Sequence, residues 1–151
     1  MPPISDQIQA EIDQLCAQGD ARADLGQFPQ ALAGYWAAWD LLPEPKLECE
    51  AATWILAAVG DANFLGGDFE AGCDNLSTVM HCPGAIEVPF LHMRLGQCQF
   101  EVGDQASALD ELLRAYLVGG AGLFHGEDPK YLDLLSSESA NGSRKHWKFW
   151  K

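Results

Sequence analysis

The stretch Val59–Gly72, VGDANFLGGDFEAG, packs four glycines and two Gly-Asp pairs into fourteen residues, the composition of a phosphate cradle or a calcium loop. A phosphate cradle of the P-loop kind needs glycines leading into Gly-Lys-Ser/Thr, and a serine nucleophile turn needs Gly-x-Ser-x-Gly; neither occurs. Asp20, Asp61, Asp68 and Asp104 each follow a glycine, but none opens an alternating acidic loop closed by glutamate, as calcium requires. Capping and turn roles explain these aspartates better. The four histidines, His81, His92, His125 and His146, have no metal-ligand spacing, and His-Glu-x-x-His is absent. His92 stands isolated and reads as a packed or partly exposed helix residue. Cys16, Cys49, Cys73, Cys82 and Cys98 are odd in number and contain no Cys-x-x-Cys. That argues for reduced, buried or half-buried thiols and against a disulfide framework or zinc site. With no nucleophile–base pair, no cofactor motif and no metal set, the expectation is a protein that is not an enzyme.

The charge distribution says more. All 22 acidic residues lie at or before Glu138, where the only cations are Arg22, Lys46, Arg94, Arg114 and Lys130, giving that body a charge of −17. The last residues, SRKHWKFWK, are basic and aromatic. Such a body repels nucleic acid and anionic membrane and attracts a basic partner, although solubility alone also explains acidity. No apolar run reaches membrane-spanning length and no signal peptide opens the chain, so a cytoplasmic location is expected.

The glycines fall into a repeat. Gly19 and Gly26, Gly60 and Gly67, and Gly96 and Gly103 are each seven residues apart. Five residues after the second glycine stands a small residue (Ala31, Gly72, Ala108), and nine after it a bulky one (Tyr35, Leu76, Leu112). Two helices packed antiparallel need small residues where their backbones approach, and a left-handed residue where the chain turns between them. The first glycine suits the approach and the second the turn. Pro29 suits a first helical turn, and Pro43 and Pro83 follow the second helices and stop them.

This spacing resembles the tetratricopeptide repeat (TPR), a helix-turn-helix unit of about 34 residues. The resemblance runs from about Ile12 to Leu117, with repeats near 12–45, 53–86 and 89–122. It implies an all-α, TPR-type α-solenoid of three helix-turn-helix repeats plus a C-terminal capping helix. Repeat steps of 41 and 36 residues leave extra residues in EPKLECEA and near PGAIEV. Helices are expected near 4–25, 28–42, 46–65, 69–81, 87–102 and 105–118. A capping segment at 123–138, with a short helix capped by Asp128, completes a single domain of residues 1–138, and 139–151 form a basic aromatic tail. Leu123, Phe124, Tyr131, Leu134 and Leu135 are available to cover the last apolar face of the array.

In proteins of that family fixed positions of each first helix face a concave groove. Carried onto this chain, they imply a partner-binding groove of Asp13, Asp20 and Asp24, then Trp54, Asp61 and Phe64, then Phe90, Met93, Gln97, Phe100 and Glu101. Carboxylates interleaved with aromatics suit a basic protein partner. The run Gly126-Glu127-Asp128-Pro129-Lys130-Tyr131 lies outside the repeat. It resembles the terminal segment of small bacterial TPR immunity proteins of polymorphic (Rhs-type) toxin systems. That resemblance implies a toxin inhibitor that occludes a basic toxin effector domain without catalysis, cofactor or metal. Two alternatives stand beside it: a secretion-type TPR chaperone holding an extended segment of a secreted protein, and a self-associating assembly scaffold.

Overall fold

The computed structural model describes residues 3–141, so the tail from 142 onward, with Trp147, Phe149 and Trp150, lies outside the described residues. Those residues hold seven α-helices and no strand: α1 (Asp6–Asp24), α2 (Phe28–Asp40), α3 (Glu50–Leu65), α4 (Phe69–Val79), α5 (Pro89–Glu101), α6 (Gln105–Gly119) and α7 (Lys130–Asn141). Three antiparallel hairpins, α1–α2, α3–α4 and α5–α6, stack in chain order, with α2 against α3, α4 against α5 and α7 on α6. The architecture is an α-solenoid of three helix-turn-helix repeats closed by a capping helix. Among the described residues no helix is long and apolar enough to cross a membrane.

The glycine pattern sets the hairpin geometry. A Cβ on Gly60 would sit 2.4 Å from Leu76 Cγ, and one on Gly96 2.7 Å from Leu112 Cγ. A Cβ on Gly19 would sit 2.6 Å from the Tyr35 ring. The first glycine of each repeat therefore faces the bulky residue of its own second helix, and the two pack backbone against side chain. Gly67 closes the α3–α4 turn at φ +83, where a side chain is strained, and Gly26 and Gly103 hold the same place in the other hairpins. Gly72 answers to a different neighbour. A Cβ there would meet the Cys98 sulfur of α5 at 2.6 Å, so it serves the contact between the second and third repeats.

Local signals explain the helix ends. Asp68 and Asp104 accept from Ala71 N–H and Ser107 N–H and start α4 and α6, while Ser5 does so for α1. Asp20 and Asp61, by contrast, lie inside α1 and α3 and cap nothing. The extra residues between repeats form short 3-10 turns at Lys46–Glu48 and Ala85–Glu87. Lys46 Nζ reaches back to the carbonyls of Trp39 (3.1 Å) and Leu42 (2.7 Å), satisfying the C-terminal end of α2. Thr53 Oγ1 donates to the Pro83 carbonyl at 2.8 Å and pins the second loop to α3.

The core runs the length of the stack, from Ile12, Tyr35 and Leu42 through Ile55, Leu56 and Leu76 to Leu91 and Leu95. A second cluster joins Met93, Leu112 and Ala115 to Phe124, Tyr131 and Leu134 and seals the end of the array. All five cysteines are free thiols, three buried and two half-buried. Burial pushes the Cys98 thiol up to about 12, far from reactive.

Gly60→Ala is expected to lower stability. Overpacking against the fully buried Leu76 costs about 1–3 kcal/mol, which outweighs the roughly 1 kcal/mol by which alanine favours a helix. Urea denaturation measures the loss. Gly122→Ala, where no neighbouring atom lies within 4 Å of the added Cβ, is the control and leaves the midpoint in place.

Candidate functional site

The first helices of the repeats, α1, α3 and α5, make the face on which the groove was expected, and their residues divide into two groups. At the α5 end the chain covers its own groove. After α6 it turns at Gly120, passes through a 3-10 turn at Ala121–Phe124, and crosses onto α5 and α3 before α7 begins. Phe124 and Tyr131 enter the apolar cluster, and the arch between them, residues 125–130, spans the groove.

Arg94 holds this junction together. It lies on α5, is only 6 % exposed, and was passed over in the sequence because it falls between the groove positions of the first helix. Its Nε donates to Asp61 Oδ1 of α3 at 2.7 Å, and its Nη1 to Gln97 Oε1 at 2.7 Å and Glu127 Oε1 at 2.5 Å. Gln97 Nε2 donates to the same Glu127 oxygen at 2.9 Å. The guanidinium carbon stands 4.4 Å from the centre of the Phe64 ring and 5.1 Å from that of Phe90, so both aromatic faces stabilise the charge. A second contact set flanks it. Tyr131 packs between Phe64 and Phe100, with ring centres 6.3 and 5.4 Å away, and its hydroxyl donates to Glu101 Oε2 at 3.2 Å. Lys130 Nζ pairs with that carboxylate at 2.8 Å. Beside the arch a cleft of about 460 Å³ is lined by Phe64, Leu65, Phe69, Arg94 and Glu101 on one side and Glu127, Lys130 and Tyr131 on the other.

The groove positions of the third repeat are corrected accordingly. Met93 is 1 % exposed and Gln97 0 %, so with the arch in place neither is open to a partner. Met93 packs under Phe124 and Tyr131, and Gln97 spends both ends of its amide on Arg94 and Glu127. Phe90 and Phe100 are half-buried, the first over Arg94 and the second under Tyr131, while Glu101 is engaged by Lys130 and Tyr131. Asp61 and Phe64, expected to look out of the packing, are half-buried and committed to Arg94.

The α1–α3 end is open. Asp13, Asp20 and Asp24 are exposed, and none forms an ion pair among the described residues. Trp54 is 62 % exposed. Asp20 Oδ1 accepts from the Tyr35 hydroxyl at 2.6 Å. Burial, that hydrogen bond and the charges of Asp20 and Asp61 hold the Tyr35 hydroxyl well above the usual tyrosine range. Burial with Asp20 and Asp13 likewise raises the Cys16 thiol. Burial is the larger cause of both shifts, and the aspartate charges add to it. His92 proves to be a packed helix residue, 7 % exposed, bonded to Glu111 at 2.5 Å and the Ile86 carbonyl at 2.8 Å. Among the described residues no group of His, Cys, Asp and Glu is placed to hold a metal ion.

Arg94→Met strands two carboxylates. Losing one side of a buried pair costs about 3–5 kcal/mol. The Asp61 side chain is 34 % exposed, so water offsets part of this and a loss of about 2–4 kcal/mol in chemical denaturation is expected. Arg94→Lys recovers only a fraction, because a compact ammonium lacks the planar fork that spans these acceptors and lies against two rings.

Burial, then the charge and hydrogen bond of Glu101, also raise the Tyr131 hydroxyl. A hydroxyl whose folded pKa exceeds its unfolded value of about 10 gives full stability below that pH and loses it as pH rises further. The urea midpoint should therefore fall above about pH 10, and Tyr131→Phe should make that fall shallower.

No protein-family model and no curated protein matches the chain. Solved structures do resemble it. The Yersinia enterocolitica type III secretion translocator chaperone SycD superposes with a TM-score of 0.58 at 16 % identity, over 85 % of each chain. PcrH, solved in complex with the chaperone binding region of PopB, gives 0.61 at 17 % identity over 93 % of this chain and 98 % of its own. MamA gives 0.61 at 13 % identity over 89 % and 80 %. At these identities the likeness is one of fold, and the fold is a TPR-type α-solenoid.

Proposed function

We propose that this chain is a non-catalytic protein-binding module that holds an extended segment of a partner protein against α1 and α3, as a secretion-type chaperone does. The observation that carries this reading is the division of the groove. Its α5 end is filled by the chain's own residues, whereas its α1–α3 end presents Asp13, Asp20 and Asp24 without ion-pair partners among the described residues, together with an exposed Trp54. Exposed carboxylates on α1 and a large exposed ring on α3 suit a segment that carries lysine or arginine and a bulky apolar residue. Two neighbours in fold support the same reading, since one is described as a translocator chaperone and another was solved with the chaperone binding region of its partner.

The immunity reading stays as a second hypothesis, favoured by the net charge of −13, which suits a folded basic domain over a broad surface. Its sequence basis, Gly126–Tyr131, has internal duties: Glu127 on Arg94, Asp128 accepting from Lys130 N–H at the start of α7, and Lys130 and Tyr131 on Glu101. Those contacts account for the residue types without a toxin.

Selection from a displayed library of random peptides separates the two. For a chaperone-type groove, short peptides that combine a basic and a large apolar residue are enriched and bind on their own. Asp20→Lys with Asp24→Lys should weaken them at least tenfold, about 1.4 kcal/mol, and flatten the salt dependence. Trp54→Ala should weaken them by a similar factor. A protein that ignores every peptide, and binds only a folded basic domain, belongs to the immunity class.

A further inference from the structure

Glu127 does an unusual thing for a residue on an exposed arch: it delivers one oxygen to two buried donors. Arg94 Nη1 and Gln97 Nε2 converge on Glu127 Oε1 from 2.5 and 2.9 Å, and these two side chains are 6 % and 0 % exposed. The remaining arch residues, His125, Gly126, Asp128, Pro129 and Lys130, are exposed. The buried posts of the arch are Phe124 and Tyr131, at 4 % and 3 % exposure. Glu127 can therefore leave without unseating the cap, and Gly126, at φ +84, supplies a residue tolerant of the change in backbone direction.

We propose that Arg94 and Gln97 form a carboxylate-binding cradle, occupied in cis by Glu127, that an acidic side chain of a partner segment takes over in trans. The proposal rests on the reading that the groove holds a partner segment and names what that segment carries at its α5 end. Three features suit an exchangeable latch. When Glu127 swings out, Arg94 keeps Asp61 and the faces of Phe64 and Phe90, so the buried charge is not stranded. The cleft of about 460 Å³ is lined by both Arg94 and Glu127, with Phe64, Leu65 and Phe69 beside them, so the latch lies in its wall. The incoming group replaces like with like, a carboxylate on a guanidinium and an amide, in a site already desolvated. Glu127, tethered, acts at an effective concentration in the millimolar range. A free carboxylate does not compete, but a segment already anchored on α1 and α3 meets the cradle on equal terms. The partner chemistry is thus bipolar: basic and apolar residues for α1–α3 and a glutamate or aspartate for α5.

The probe is the peptide His-Gly-Glu-Asp-Pro, a copy of residues 125–129, acetylated and amidated so that its carboxylates are side chains only. It is titrated into the full-length Glu127→Ala variant and into wild type, and the side-chain N–H signals of Arg94 and Gln97 are followed by NMR. These signals should move in the variant, with an affinity at least tenfold higher than in wild type, and a peptide with glutamine in place of glutamate should lose that advantage. Equal binding by wild type and variant, equal binding of the glutamine peptide, or no movement of the signals in the folded variant overturns the proposal. Should Glu127→Ala not fold, Glu127→Gln keeps the shape and carries the same comparison. Adding Asp20→Lys to either variant should leave this probe unaffected while weakening basic peptides. Loss of cradle binding alone therefore refutes the latch and leaves the α1–α3 reading standing.

Discussion

Leaving the guanidinium of Arg94 unpaired inside an apolar junction would cost more than any single apolar contact in the chain contributes. The surroundings answer that cost in each direction the group presents. Asp61 comes from α3 of the repeat before, Gln97 from its own helix one turn on, Glu127 from beyond the third repeat, and Phe64 and Phe90 cover the faces. Because the partners come from three different parts of the chain, satisfying one side chain fixes the second repeat, the third repeat and the cap relative to one another. A pair of apolar residues would bury area equally well but would not fix their register, since apolar contact has no direction.

The cap has to be there for a reason that belongs to every repeat array. Each hairpin buries one face on the previous hairpin and offers its other face to the next, so the last hairpin is left with apolar surface unless something covers it. Here Phe124, Tyr131 and Leu134 cover Met93, Leu112 and Ala115. A helix that merely stacked on α6 would complete the solenoid and leave the groove free along its length. This chain instead approaches α7 by way of the groove, and Arg94 and Glu101 provide the polar contacts that hold the arch there. The same residues that end the array also shorten the open part of the groove.

That division explains what was legible beforehand. The hairpins recur, so their spacing is written three times, and the pairing of a first glycine with a bulky residue (Gly60 with Leu76, Gly96 with Leu112) can be read from register alone. The turn glycines carry the same information through φ. The arch occurs once and joins residues about thirty positions apart, which leaves no period to detect. Met93 and Gln97 are buried beneath a segment whose path no local pattern encodes. Arg94 left one signal that was passed over: a lone cation in the apolar run FLHMRLGQC of a chain otherwise short of cations. A charge in such a run has to find partners inside the fold, and in an acidic protein partners are plentiful.

The treatment of charge along the groove then gives it a direction. At the α5 end Asp61 and Glu127 are matched by Arg94, and Glu101 by Lys130. At the α1 end Asp13, Asp20 and Asp24 lie on one helix with no such match among the described residues, and their mutual repulsion is a standing cost to the fold. A chain selected for stability alone would relieve it with one lysine on α1, whose only cation, Arg22, hydrogen-bonds Gln27 instead. On the function proposed above, the counter-charges for this face arrive with another molecule, which also meets the exposed Trp54 of α3. Under that proposal the open end of the groove is where a partner gains most, because there it supplies what the fold itself withholds.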